Sequence, residues 1–302
     1  MDQKLQSDRR AVLIVNTKSR RGQEWFDQAK HLLTELGIEL ENAWAFQKVE
    51  ELRAEARSAI QRKVPLVIAG GGDGTFSSIA RYFVNSESVL GVLPLGTGNA
   101  FARDLGIPAQ LDVACQTIAG GKVAGVDLGF AGDDYFLNVA TIGLTTRIAQ
   151  ALTVPMKRKY GRFVYAIAMA RALTQSKPFQ VRIETENGID EFETLQLVIG
   201  NGRYHAGPFP LAPNASITEG KLSLYALASS SKAAFLKLAL RLPTGSQGQL
   251  NEVHAQDTVG GKISTFPPLP VTVDGEICVR TPMTFCVKPD ALRVMAPKTF
   301  EG

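Results

Sequence analysis

Apolar positions follow two rhythms that divide the chain. In the first half, short unbroken apolar runs at 11–15, 66–69 and 89–94 have the length of strands buried on both faces, and 39–46 reads as a weaker strand. Between these runs the spacing turns helical. Phe26, Ala29, Leu32, Leu33 and Leu36 share one face of the segment 24–36, which Gly37 closes. A second amphipathic helix is predicted at 49–62, a third at 76–85, and a short one after residue 99. Alternation of this kind predicts right-handed crossovers, a parallel sheet, and ligand binding beyond the carboxyl ends of the strands.

From about residue 126 strands dominate. They are predicted at 126–130, 135–141, 179–185, 191–199, 221–228, 271–273, 276–279 and 284–287, with turn signals at Asn187-Gly188 and Asp274-Gly275. Helices are predicted there only at 161–174 and 232–242. The fold class expected is α/β: an N-terminal doubly wound domain over residues 1–130, then a mostly antiparallel β-sandwich domain over 131–287. The apolar run 293–296 could carry residues 288–302 back to the first domain.

Composition narrows the classes. The 302 residues suggest about two domains at roughly 150 residues each. With 45% hydrophobic and 21% charged residues the chain is globular, not disordered. A net charge of +4 permits weak attraction to anionic lipid or phosphate and makes no case for nucleic acid. Three cysteines without a C-x-x-C spacing argue against a disulfide framework or zinc knuckle and for a reducing compartment. Cys278 and Cys286 are expected to be buried packing residues. The polar N-terminus lacks the apolar stretch of a secretory signal, and no run reaches the ~18 apolar residues of a membrane span. A cytoplasmic protein is expected.

The candidate chemistry lies in the loops after the first-half strands. Gly70-Gly71-Gly72-Asp73-Gly74-Thr75 joins a strand to a helix. Its glycines let a ligand approach the backbone, and the helix start favours an anion. Asp73 beside phosphates would need a cation, which makes it a candidate for magnesium; a plain turn with Asp73 as helix cap is the simpler alternative. Gly96-Thr97-Gly98-Asn99 repeats the logic one unit later, with a hydroxyl and an amide available to a nucleotide. Asn16-Thr17-Lys18-Ser19-Arg20-Arg21-Gly22 is a basic loop at the same sheet edge. Neither a Walker loop nor a G-x-G-x-x-G turn after the first strand is present. Asp274 and Glu276, two apart around Gly275, could share one face and accept a proton, though Asp-Gly is also a common hairpin turn.

Taken in order, Gly71-Gly72-Asp73-Gly74-Thr75, then Leu93-Pro94-Leu95-Gly96-Thr97-Gly98-Asn99, then Val273-Asp274-Gly275-Glu276, the chain resembles the soluble bacterial diacylglycerol kinase family, related to sphingosine and ceramide kinases. The resemblance implies a nucleotide-binding first domain, a β-sandwich second domain, and an ATP- and magnesium-dependent lipid kinase acting in the cleft between them. It implies ATP on Asn16, Arg21, Gly71, Gly72, Asp73, Gly74, Thr75, Phe76, Ser77, Ser78, Gly96, Thr97 and Asn99. Asp73 and Asp127 would organise catalytic magnesium, Lys177 would join the phosphate network, and Asp274 and Glu276 would supply the proton acceptor. A structural magnesium would fall on Ser216, Glu219 and Lys221. The acceptor would be a lipid hydroxyl presented by a membrane (diacylglycerol, phosphatidylglycerol or a sphingolipid), with transient, peripheral membrane contact and no nucleic acid; a homodimer stays open. The chain departs from the family pattern at Thr17, where proline is usual, at Arg20, at Phe46, at Ala100, where aspartate is common, and at Glu219. A kinase for a soluble acceptor such as NAD, or a catalytically weak nucleotide- or lipid-binding module, are the alternatives.

Overall fold

The computed structural model describes residues 8–18, 22–144, 146, 176–204, 212–227 and 253–302. The helices expected at 161–174 and 232–242, and Arg20 and Arg21, lie outside these residues.

β1 (Arg10–Asn16) is buried at five consecutive positions, as a strand covered on both faces must be. It lies between β2 (Glu39–Phe46) and β3 (Leu66–Gly71), and β4 (Val89–Pro94) follows; all four run parallel in the order β2-β1-β3-β4. Right-handed crossovers therefore send α1 (Gly22–Glu35) to one face and α2 (Val49–Gln61) to the other. α3 (Asp73–Phe83) packs beside α2, and α5 (Leu111–Gly120) beside α1. α1 buries Phe26, Ala29 and Leu33 and ends where Gly37 turns to φ +79°, with Ile38 N–H donating to Leu33 O. α5 has no counterpart among the expected elements. Its buried face is Ala114, Cys115 and Ile118, small residues that give a weak helical stripe.

Two predicted strands are each two strands. Residues 135–141 divide into β6 (Asp134–Phe136) and β7 (Val139–Gly143), and 191–199 into β9 (Gly188–Thr194) and β10 (Gln196–Gly200). The chain changes sheets at each break. At the first, the amides of residues 137–139 turn to the Asp274 carboxylate; at the second, the Thr194 hydroxyl bonds both backbone groups of Gln196. The remaining strands are β5 (Lys122–Ala131), β8 (Phe179–Thr185), β11 (Leu222–Leu227), β12 (Val253–Thr258), β13 (Gly260–Phe266), β14 (Pro270–Val273), β15 (Glu276–Arg280) and β16 (Met283–Ala296). β12 and β13 were not expected: their polar and glycine-rich sequences lack an apolar alternation.

The large sheet continues from β4 through β16, β13 and β8 to β9, with β5 on β16 and β6 on β5. A second, antiparallel sheet has the order β12-β11-β10-β7-β14-β15. The two sheets face each other over a core of Phe136, Ile142, Phe179, Ile183, Leu197, Leu224, Ile263 and Phe285. β16 is one 14-residue strand where the sequence suggests two pieces. It bends at a register shift between Lys288 and Leu292. Before the bend it pairs with β13; beyond it, Val294 sits beside Leu90 of β4. Among the described residues no helix is long and apolar enough to cross a membrane.

Candidate active site

At the carboxyl ends of the parallel strands, β1 feeds α1 on one face while β3 feeds α3 on the other. The crevice between these diverging loops is where such sheets bind ligands. α3 begins inside the glycine motif, three residues before the expected start, with Gly72 as an extended N-cap. Thr75 and Phe76 N–H donate to Gly72 O, and no described residue accepts from Asp73 or Gly74 N–H. Those two donors stand at the positive end of the helix and suit an anion.

The glycine loops pack back to back. A Cβ on Gly96 would lie 2.5 Å from Gly72 Cα, and one on Gly71 2.3 Å from Thr75 Oγ1. A Cβ on Gly74 would meet nothing within 4 Å, so this glycine is open toward the crevice. Asn16 Nδ2 donates to Thr75 Oγ1 at 3.2 Å, joining the β1 loop to the motif. Thr17 replaces the family's proline and uses what proline lacks: its N–H donates to Phe46 O at 2.8 Å, and its hydroxyl to the same oxygen at 3.1 Å. Phe46 thus enters through its carbonyl.

Not every expected nucleotide contact faces the crevice. The Phe76 ring is fully buried against Phe101. Asn99 sits at φ +50°, and its amide is spent within the turn, accepting from Gly96 N–H and donating to Gly96 O. Thr97 is exposed, and Ser77 and Ser78 are half-buried. Asp73 is half-buried, and its Oδ1 accepts Phe101 N–H at 3.2 Å, capping α4 (Ala100–Asp104). Its second oxygen has no hydrogen bond among the described residues.

Across from α3 stands the β14–β15 hairpin. Asp274, at φ +44°, accepts from Leu137 N–H at 2.7 Å and from Asn138 and Val139 N–H at 3.0 Å, and it lines the same cleft as Ser77. Burial raises its pKa above the ordinary carboxylate value, opposed by these donors. Glu276 is exposed and pairs with Arg53 of α2 at 3.2 Å. Arg81 of α3 pairs with Asp134 at 3.0 Å. Between these pairs lies a cleft of about 260 Å³, bordered by Gly74, Ser77, Asp274 and Cys278. Cys278 is exposed there, on the outer strand of its sheet, and Cys286 is half-buried; neither is the core residue expected.

Other expected residues stand elsewhere. Asp127 is buried, and its two oxygens accept Gly220 N–H at 2.6 Å and Asp290 N–H at 3.0 Å. It braces the 216–221 turn and the β16 bend, which leaves both oxygens engaged. In that turn the Ser216 hydroxyl bonds Thr218, while Glu219 and Lys221 are exposed. Lys177 is exposed ahead of β8, the third strand beyond β4. Sequence reasoning passed over Asp104. It is half-buried, accepts Arg203 N–H at 2.9 Å and Tyr204 N–H at 3.3 Å, and desolvation pushes its pKa up to about 7. The available signal was its position: an aspartate in the last turn of a helix opposes the dipole and needs partners.

A parallel layer with paired glycine loops, closed by a β-sandwich that brings a carboxylate hairpin to the same cleft, defines a two-domain kinase. Residues 10–131 match the diacylglycerol kinase catalytic domain, and residues 138–296 the YegS C-terminal NAD kinase beta sandwich-like domain. A diacylglycerol kinase of Staphylococcus aureus is 30% identical over 297 residues, covering 96% of this chain and 93% of that protein. One from Staphylococcus saprophyticus is 28% identical over 302 residues, covering 97% of each. A diacylglycerol kinase crystal structure from Bacillus anthracis superposes with a TM-score of 0.79 over 95% of this chain and 97% of that one; at 24% identity it shows the fold alone. The chain belongs to the diacylglycerol kinase family, a family of lipid kinases.

Proposed function

We propose that the protein transfers the γ-phosphate of ATP to a lipid hydroxyl of the diacylglycerol class, with magnesium. The observation that supports this most is that Asp274 lines one cleft with Gly74 and Ser77 of α3, the helix whose first N–H groups have no acceptor among the described residues. A phosphate held at that helix start and a hydroxyl held by Asp274 would share one cleft.

Phosphoryl transfer mainly requires positioning and charge neutralisation. The N–H groups of Asp73 and Gly74 would hold phosphate oxygens, and the open face of Gly74 admits them. Magnesium, when bound, neutralises charge on the phosphates. Mg²⁺ is usually held by only one or two carboxylates, and Asp73, with one oxygen free of described bonds, fits that demand. Glu219 would be the one side-chain ligand of a structural cation in the 216–221 turn.

The acceptor hydroxyl would donate to Asp274 from the cleft that Asp274 and Ser77 line. As its oxygen bonds to the γ-phosphorus, the bond from phosphorus to the β,γ-bridging oxygen breaks, ADP leaves, and the hydroxyl proton passes to Asp274. The raised pKa of Asp274 suits a proton acceptor. Glu276, held by Arg53, would orient the hairpin at the cleft mouth. The acceptor would come from a membrane surface during transient contact by a cytoplasmic protein.

The test is transfer from labelled ATP to a panel of lipids in mixed micelles, comparing the wild type with Asp274→Asn. Transfer to one lipid, lost by 10²-fold or more in the variant, is expected for a general base. ATP binding with no transfer to any lipid would overturn the reading.

A further inference from the structure

Helix α4 is only five residues long, yet a carboxylate acts at each end. Asp73 caps its start through Phe101 N–H. Asp104, its last residue, reaches out and accepts the N–H groups of Arg203 and Tyr204, just beyond β10. The loop is shaped for this approach. Gly202 sits at φ +87°, and a Cβ there would lie 2.7 Å from Asp104 Oδ2. Asn201, 1% exposed, continues the path: its N–H donates to Asn138 O, and its Nδ2 donates to Leu137 O and Asp127 O. The amides of residues 137–139 are the ones that hold Asp274.

We infer that Asp104 is a positioning residue that couples the nucleotide loops to the acceptor side of the cleft. Hydrogen bonds joined by short stretches of backbone link Asp73, α4, Asp104, residues 201–204, residues 137–139 and Asp274. Ordering of the glycine loops by nucleotide would thus be felt at Asp274, and acceptor binding would be felt by nucleotide to the same degree. The inference rests on the phosphoryl-transfer reading above.

The test pairs hydrogen exchange with kinetics in the wild type, Asp104→Ala and Asp104→Asn. A non-hydrolysable ATP analogue with Mg²⁺ is expected to slow amide exchange at 137–139 and 201–204 in the wild type. Asp104→Ala should bind the analogue within about twofold of wild type and lose that protection. With dioctanoylglycerol micelles, its kcat should fall about tenfold or more while the KM for ATP stays within about twofold, the signature of misplacement away from the nucleotide. Asp104→Asn keeps one carbonyl acceptor and should lose less; if Asp104→Ala does not fold, Asp104→Asn carries both readouts. Undiminished protection in a variant that binds the analogue, or a loss confined to the KM for ATP, would overturn the coupling. Protection that is present in the wild type and lost in Asp104→Ala would uphold it even if no lipid were phosphorylated, which separates its failure from that of the proposed function.

Discussion

Gly74 and Gly96 serve one site under opposite constraints. Gly96 is a packing residue: a methyl group there would press on Gly72 Cα. Gly96→Ala is expected to cost about 1–3 kcal/mol of stability, read by urea denaturation, and to abolish ATP binding. Gly74→Ala meets no protein atom and sits in a helix, so the melting temperature should hold or rise, worth about 0.5 kcal/mol. Its methyl would occupy the phosphate approach, so activity should fall while stability does not. Asp104 makes a different prediction. Its folded pKa is raised from 3.8 to about 7, so its contribution to stability is fullest below the unfolded value and is lost as pH rises through about 7. Asp104→Asn, which cannot ionise, should therefore show a flatter stability profile between pH 4 and 7 in thermal melts. At this scale the sequence marks residue types but not directions. Asn99 and Phe76 belong to the right motif, yet one amide folds back into its own turn and one ring enters the core.

At the scale of elements, the parallel half was legible because burial on both faces leaves unbroken apolar runs at β1, β3 and β4. The sandwich was less so. A strand that ends in one sheet and a strand that begins in the other read as one run at 135–141 and at 191–199, since apolar pattern reports burial and not which sheet does the burying. The β1 loop shows how a departure from a family pattern is absorbed. Thr17 donates twice to Phe46 O, so the turn that proline would stiffen is tied to β2 instead. Restoring the family residue with Thr17→Pro should therefore destabilise the protein by about 1–2 kcal/mol, since both bonds go, as chemical denaturation would show.

For the whole molecule the decisive element is β16. Leu292, Val294, Met295 and Ala296 belong to the core of the parallel layer, and Met283, Phe285 and Val287 to the core of the sandwich. Two units that share a strand are expected to melt together, as one calorimetric transition. A fragment of residues 8–131 should fail to fold, and would show no cooperative near-ultraviolet transition, although the catalytic-domain match ends at residue 131. The sharing also sets an order of events during synthesis. The ribosome delivers β4 and β5 more than 150 residues before the strand that lies between them. Until then β4 has an open edge beside an apolar layer, the kind of nascent surface that chaperones cover and that pairs with the wrong chain when crowded. Residues 283–296 must therefore be made before the first domain can close, and a product stalled or cut short ahead of them would be a substrate for degradation and have no phosphotransfer activity.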